Sequence, residues 1–473
     1  MQRRMFAIPL LMLASLLVAC SSPQTAAPTT APVAKPTTAP TTAPAAAPTA
    51  AAVATPTTAA VAVPTTAAAA PAAQPAAGGR TQLKLWTHSA GNDKELATLA
   101  DELTAFNGSQ DKVEIVNEAF PQASYNDSVA AASVAGNLPC ILDLDQPTVP
   151  NFAWSKYIRP LQVSPELLAD LNTTAQGKFK DQLYSLGQFD VALVIYARKS
   201  VLQKNNIRVP TLDKPWTLDE FNKALATLKA SGQFESALDV NAQNTGEWWP
   251  YAYSPMLQSF GGDLIDRKNY QSAEGVLNGA DAAKWGTWFQ DLFKNGYANP
   301  KPADDKGFLQ GRVALWYSGS WAADDVTTQV GDDALILPTV DFGKGPKIGG
   351  ASWQWGISTT CQQPEAAQAF ITYIMQPQQI AAISKSTGLI PTSTKAAALT
   401  DKYAVGGPYR PLFDMAKNFA LLRPATPGYL TISSQFEKAG LKIRDGSNVQ
   451  NALDDAVDAI NRDVKDHQGY GLQ

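Results

Sequence analysis

The chain has 473 residues, with 38 Lys and Arg against 42 Asp and Glu, for a formal charge of −4. The charges are spread without long like-sign runs, which argues against a nucleic-acid surface. Two histidines in the whole chain, His88 and His467, argue against a dedicated transition-metal site, and three cysteines are too few for a disulfide scaffold.

Arg3 and Arg4 precede an apolar run from Phe6 to Ala19, the charged start and hydrophobic middle of a secretion signal over residues 1–19. The run is short for a membrane span, which takes about 20 apolar residues. It ends in Leu17-Val18-Ala19-Cys20, which resembles the bacterial lipobox; on that reading Cys20 becomes a lipidated N-terminus outside the cytoplasm. Ser21 to Gly79 is almost wholly Ala, Pro and Thr, with Lys35 its only charge. Such a stretch cannot bury enough surface to offset ordering, so residues 20–80 read as a lipidated cysteine and a disordered tether. Polyproline-like conformations would give it a reach on the order of 180 Å.

The remaining 390 or so residues suffice for two domains. All 11 tryptophans lie beyond residue 80. Leu83 to Trp86 alternates like a strand, and Leu96, Leu99, Leu103 and Phe106 form a helical stripe. Val113 to Phe120 reads as a strand, Tyr125 to Ala135 as a helix and Ile141 to Leu144 as a strand. This is the βαβαβ order of an open parallel sheet. A second series starts with a strand from Val191 to Tyr196. Thr217 and Glu220 then form a capping box, with Trp216 packed on Phe221. Trp285, Trp288, Phe289, Leu292 and Phe293 make a core-facing helical stripe. Pro364–Met375 and a stripe of Val449, Leu453, Val457, Ile460 and Val464 complete the helices. Cys140 and Cys361 are expected as isolated buried thiols, with pairing in an oxidising compartment left open.

Several segments together resemble the extracellular sugar-binding proteins that serve ABC importers. They are Tyr125-Asn126-Asp127 with Ala135-Gly136-Asn137-Leu138-Pro139, where Cys140 replaces the family's usual Asp; Tyr196-Ala197-Arg198-Lys199; and Pro215 to Phe221. Ser259-Phe260-Gly261-Gly262, Phe308 to Ala314 with Gly319-Ser320-Trp321, Gly349-Gly350 leading to Gly356-Ile357-Ser358, and Gly388-Leu389-Ile390-Pro391 follow in order. The resemblance implies an α/β, two-lobe periplasmic-binding-protein fold (type II-like), each lobe a mostly parallel sheet flanked by helices. The first lobe would hold 81–189 and 327–360, the second 190–326 and 361–473, with the ligand in the cleft between them and hinge bending to close it.

A sugar offers an apolar ring face and a rim of hydroxyls, so aromatic residues and fixed polar groups at strand ends and loops are the candidates. By position in the family's pattern these are Trp86 and His88 after the first strand, and Asp145 and Gln146 after the third. Asp143 is expected to point elsewhere. Asp190 falls at the first lobe crossing. The loop Gly246 to Tyr251 carries Trp248, Trp249 and Tyr251, of which Tyr251 matches the family's stacking aromatic and Trp249 is taken as a second contact. Trp321 matches another stacking position, and Ser352 and Trp353 follow the paired glycines, whose small size suits close approach to a ligand. The reading is a monomer with no cofactor, no metal and no catalytic residue. It captures a carbohydrate for an ABC permease and touches the membrane through its lipid alone. Two other functions remain open at this point. A secreted glycoside-active enzyme needs two carboxylates about 5–9 Å apart, and Asp145, Asp190 and Glu247 are available. A receptor presenting ligand to a sensor kinase would share the fold.

Overall fold

A computed structural model describes residues 79–472. The secretion signal, Cys20 and nearly all of the tether lie outside the described residues. The opening strand, Thr81–Thr87, turns Leu83 and Leu85 into the core. Asn92 then caps the helix Asp93–Gly108, accepting from the Glu95 amide, and Leu99, Leu103 and Phe106 form its buried stripe. Val113–Ala119 and Ile141–Asp145 pair in parallel on either side of Thr81–Thr87, so the predicted βαβαβ unit is present.

Beyond that unit the first sheet is mixed, not mostly parallel. Trp353–Ser358 returns antiparallel to Ile141–Asp145, and Gln182–Leu186 and Gln176–Phe179 follow it, also antiparallel, in a sheet of seven strands that includes Ile158–Arg159. The reason is local. Parallel neighbours need a crossover of a dozen or more residues, whereas Lys180 and Asp181, at φ 47° and 63°, make a two-residue hairpin turn. The second sheet runs Ala334–Leu337, Leu193–Arg198, Val313–Gly319, Ser236–Asp239, and only its last pair is parallel.

The punctuation of the helix Leu218–Ala230 is as predicted: the capping box of Thr217 and Glu220 is complete, and Trp216 lies 5.8 Å from Phe221. The helix Ala280–Lys294 buries Trp285, Trp288, Phe289 and Leu292, and Tyr429–Arg444 and Val449–Asp466 share the same core.

The lobe boundaries read from the sequence shift in two places. Ala334–Leu337 completes the second sheet, and Val340, Phe342 and Ile348 lie in that sheet's core, so 327–349 does not join the first. The helices Pro364–Ile374 and Pro377–Thr387 follow Trp353–Ser358 directly and bury Phe370, Ile371, Ile374 and Ile380 against the first sheet, so residues from 361 do not pass at once to the second. Two short ladders sit where the chain passes between sheets: Phe189–Asp190 against Ile390–Pro391, and Ile348–Gly349 against Ala420–Leu421.

Cys140 and Cys361 are bonded to each other, contrary to the expectation of two free thiols. Although 221 residues apart in sequence, they are brought together by the pairing of Ile141 with Ile357. Ser358 donates its amide to the Cys140 carbonyl, and the turn after it carries Cys361 back alongside. Linear spacing could not show an encounter made by strand register.

Candidate binding site

The crossings set the floor of the site. Asp190 is buried, and its carboxylate accepts from the Thr174 hydroxyl at 2.5 Å, from the Val191 amide at 2.8 Å and from the Ala351 amide. Ala351 is held in the left-handed region at φ 66°. Burial pushes the Asp190 carboxyl up to about 6, with Thr174 and the two amides pulling the other way.

On the first-sheet side, His88 is sandwiched. Its ring stacks on Trp353 at 3.8 Å, and its Nδ1 lies 2.5 Å from Asp143, with Glu95 3.6 Å from Nε2. Burial draws the His88 proton off, but the charges of Asp143 and Glu95 and the hydrogen bond that the ring donates to Asp143 more than offset it and leave its pKa raised. Asp143 therefore does not point elsewhere. Residues two apart in a strand share a face, so Asp143 and Asp145 face the same way, and both carboxylates act on His88. Trp86 sits beside this group, donating to Glu118 at 2.9 Å and packed 4.7 Å from Phe120. Gln146 follows Asp145, its amide bonded to the Ser352 carbonyl at 3.2 Å and its Oε1 buried without a partner.

The second-sheet side differs from the sequence reading in one element. Trp248, Trp249 and Tyr251 are not in a loop but open the helix Trp248–Phe260, which is buried on nearly every side. Trp249 is a core residue, not a ligand contact: it is 0% exposed, bonds the Asn244 carbonyl and packs on Gly440, where a Cβ would lie 2.3 Å from its ring. Tyr251, one residue past the helix's first turn, aims toward the floor instead. Its hydroxyl is buried without a partner, and Asp190, Arg423 and Asp145 all act on it electrostatically. Gly349 is needed for this placement, since a Cβ there would meet the Tyr251 carbonyl at 2.4 Å. Gly349 thus makes room for Tyr251, whereas Gly350 packs against Ala420, whose Cβ a side chain there would meet at 2.8 Å.

Trp321 stands at the end of Val313–Gly319, 41% exposed, its ring over Gly319, 6.3 Å from Tyr251 and 6.2 Å from Trp248. Beside it lies a cavity of about 500 Å³ lined by Trp248, Trp316, Trp321, Asn241, Asn244 and Gln310, among others. Indole faces and neutral amides dominate this lining.

The residue that sequence reading missed is Arg423. It is 4% exposed, donates from Nη1 to Glu247 at 2.6 Å and from Nη2 to Asp145 at 3.1 Å, and lies over the Tyr251 ring at 5.4 Å. Burial opposes its charge, but Asp145 and Glu247 more than offset that and keep it firmly protonated. Burial raises the Asp145 carboxyl to about 6 even against the pull of Arg423. Glu247 is fixed in turn by the hydroxyls of Ser433, at 2.8 Å, and Tyr429.

The site thus gathers His88, Asp145, Gln146, Asp190, Tyr251, Ser352 and Trp353, with Trp321 at its edge and Trp86 packed on Phe120 nearby, and leaves out Trp249. Its carboxylates are anchored acceptors: Asp145 and Glu247 share one guanidinium, and Asp190 is held by Thr174. Such fixed acceptors, with unpartnered groups on Gln146, Tyr251 and Arg423 and an open indole face, suit a polyhydroxylated ligand. Among the described residues there is no group of three His, Cys, Asp or Glu side chains arranged to hold a metal.

Two mixed α/β layers joined by short crossing strands, with a polar and aromatic floor between them, define a solute-binding protein. Residues 101–406 match the family described as bacterial extracellular solute-binding protein, and the chain belongs to that family. That family is described by the binding of solutes. The chain is 24% identical over 239 residues to the maltodextrin-binding protein MdxE of Bacillus subtilis, a match covering 48% of this chain and only 54% of that relative. It is 22% identical over 427 residues to a maltooligosaccharide ABC transporter solute-binding lipoprotein of Streptococcus pneumoniae, covering 83% and 94%. Among solved structures it is similar to the GacH receptor of Streptomyces glaucescens, described unliganded and with acarbose, at 20% identity and TM-score 0.69 over 82% of this chain and 99% of that one. A cyclic alpha-maltosyl-1,6-maltose binding protein from Arthrobacter globiformis gives 21% identity and TM-score 0.68 over 82% and 100%. These solved structures share the fold.

Proposed function

We propose that this protein captures a neutral mono- or oligosaccharide outside the cytoplasm and delivers it, unchanged, to an ABC permease, while a lipid on Cys20 and an extended tether hold it to the membrane. The observation that carries the reading is the convergence of fixed carboxylates and unpartnered buried polar atoms on one floor, with the exposed face of Trp321 beside it. A buried donor or acceptor left unmatched costs about 1–3 kcal/mol, so a ligand bearing hydroxyls there gains what the empty site lacks. The amide- and indole-lined cavity next to Trp321 favours a ligand longer than one ring. Relatives named for maltodextrin and maltooligosaccharides support the same class. We assign the contacts to His88, Asp145, Gln146, Asp190, Tyr251, Trp321, Ser352 and Trp353, with Trp86 as their support.

Screening the purified protein against a carbohydrate panel by thermal shift tests this. A bound sugar raises the melting temperature, and by more at higher excess, as mass action requires. Release of reducing ends from a glycan, lost on changing Asp145 or Asp190, would instead establish an enzyme. Cys20→Ser is expected to release the protein from membranes with its melting temperature unchanged, because residues 21–79 lack the composition to pack; retention in the membrane fraction refutes the lipid anchor.

A further inference from the structure

Of the ion pairs among the described residues, one alone joins the first sheet to elements packed on the second: Arg423 with Asp145. Arg423 leaves the short strand Ala420–Leu421 just ahead of the helix Tyr429–Arg444. Its supports on that side are several. Glu247 takes Nη1, Ser433 and Tyr429 fix Glu247, and the Tyr251 ring lies beneath the guanidinium. From the first sheet comes one charged contact, the Asp145 carboxylate on Nη2. A second bond crosses nearby, from Asn151 to the Pro427 carbonyl at 2.8 Å, so the two sides meet along this edge. Nε is buried and has no partner, although both terminal nitrogens are engaged.

We propose that Arg423 is the positioning residue that couples closure of the two sides to ligand: held permanently by Glu247, it takes Asp145 when the sides meet and presents Nε–H to a hydroxyl of the ligand. A buried guanidinium cannot shed its charge, so withdrawing Asp145 leaves it next to one carboxylate in place of two, and leaves His88 as the cation facing Asp145. The pair therefore favours the closed arrangement. Its consequence is unusual for an uncharged ligand: affinity should depend on pH. The charged and titratable groups facing the pair are His88 and Asp143 from the first sheet's strands, Glu247, Tyr251 and Tyr429 from the helices of the second side, and Asp190 from the crossing. Above about pH 7 Asp145 is ionised and the pair forms. As the pH falls through about 6 its carboxyl takes a proton and the attraction is lost, leaving Arg423 near His88, which its raised pKa already holds protonated there.

The test uses the full protein with maltotriose as probe, a choice that rests on the carbohydrate reading, and a second readout that does not. Spin labels on Asp127→Cys and Lys438→Cys, exposed positions on opposite sides, report the separation in ligand-free protein. The expected result is a label distance that lengthens between pH 7.5 and 5, and that is long at both pH values in Arg423→Met and in Asp145→Asn. Maltotriose affinity should fall about tenfold over the same range in the unaltered protein, a typical coupling between two linked equilibria. Both variants should bind about tenfold or more weakly at pH 7.5, and Asp145→Asn should keep only the smaller pH dependence contributed by Asp190. Unaltered distance and affinity in Arg423→Met at pH 7.5 overturn the proposal; where that variant does not fold, an unaltered distance in Asp145→Asn does so. Absence of binding to any oligosaccharide overturns the carbohydrate reading, while the ligand-free distances still decide the role of Arg423.

Discussion

Trp321→Ala should weaken carbohydrate binding by about tenfold to a hundredfold, equivalent to about 1–3 kcal/mol, while leaving stability nearly unchanged. The indole is 41% exposed and meets its own protein through Gly319, Trp248 and Tyr251, so alanine leaves little cavity in the unliganded chain. Trp285→Ala and Trp288→Ala should do the reverse, destabilising by about 3–5 kcal/mol through core cavities. Trp285 is 0% exposed between Phe289 and Phe436, and Trp288 packs on Phe260 and Phe342 while donating to Asn222. The folded fraction of those two variants should bind normally. Tyr251→Ala should lose both, because its ring supports Arg423 and its unpartnered hydroxyl faces the floor. Calorimetric titration beside denaturant melts of the four variants decides the matter. A Trp321→Ala protein that unfolds readily yet binds at full strength when folded would mean that the ligand lies elsewhere.

What could be read from the sequence is what local rules determine. The capping box at Thr217, the stripe through Trp285 and Leu292 and the strand–helix alternation of the βαβαβ unit are each written as local patterns, and each is present in the structure. The helix Trp248–Phe260 escaped notice because it is buried almost all round and so has no amphipathic period. It also carries two prolines, and Pro250 is tolerated because first-turn amides have no partner inside a helix. That single misreading placed Trp249 in the ligand site when it belongs to the core. Arg423 was invisible for a different reason. Its two carboxylates lie 176 and 278 residues away, and only the folded crossing brings them to one guanidinium. Asp143 was legible and misread, since the two-residue period of a strand puts it on the face of Asp145.

Glu102→Gln should stabilise the protein, and by more as the pH rises. Glu102 lies on the helix Asp93–Gly108, 3% exposed; Oε1 accepts from Gln188 at 2.8 Å, and Oε2 is buried with no partner. Burial lifts its carboxyl from an ordinary 4.5 to about 8, the hydrogen bond from Gln188 restraining the rise. The native chain therefore keeps this proton across a range in which the unfolded chain has released it. Because the folded value is the higher one, the group's contribution is fully favourable below about pH 4.5 and is lost progressively until about pH 8. The loss over that interval is about 4–5 kcal/mol, taking 1.36 kcal/mol for each pH unit between the two values. Glutamine keeps the acceptor for Gln188 and has no proton to lose. Gln188, which also accepts from Trp355 and donates to the Ile374 carbonyl next to the crossing at Phe189–Asp190, should stay where it is. Urea melts at pH 5, 6.5 and 8 should then show variant and parent nearly equal at the lowest pH, with the variant ahead by several kcal/mol at the highest. A difference that does not change with pH would mean that Glu102 is ionised in the folded chain, and that Oε2 has a partner which stabilises its charge.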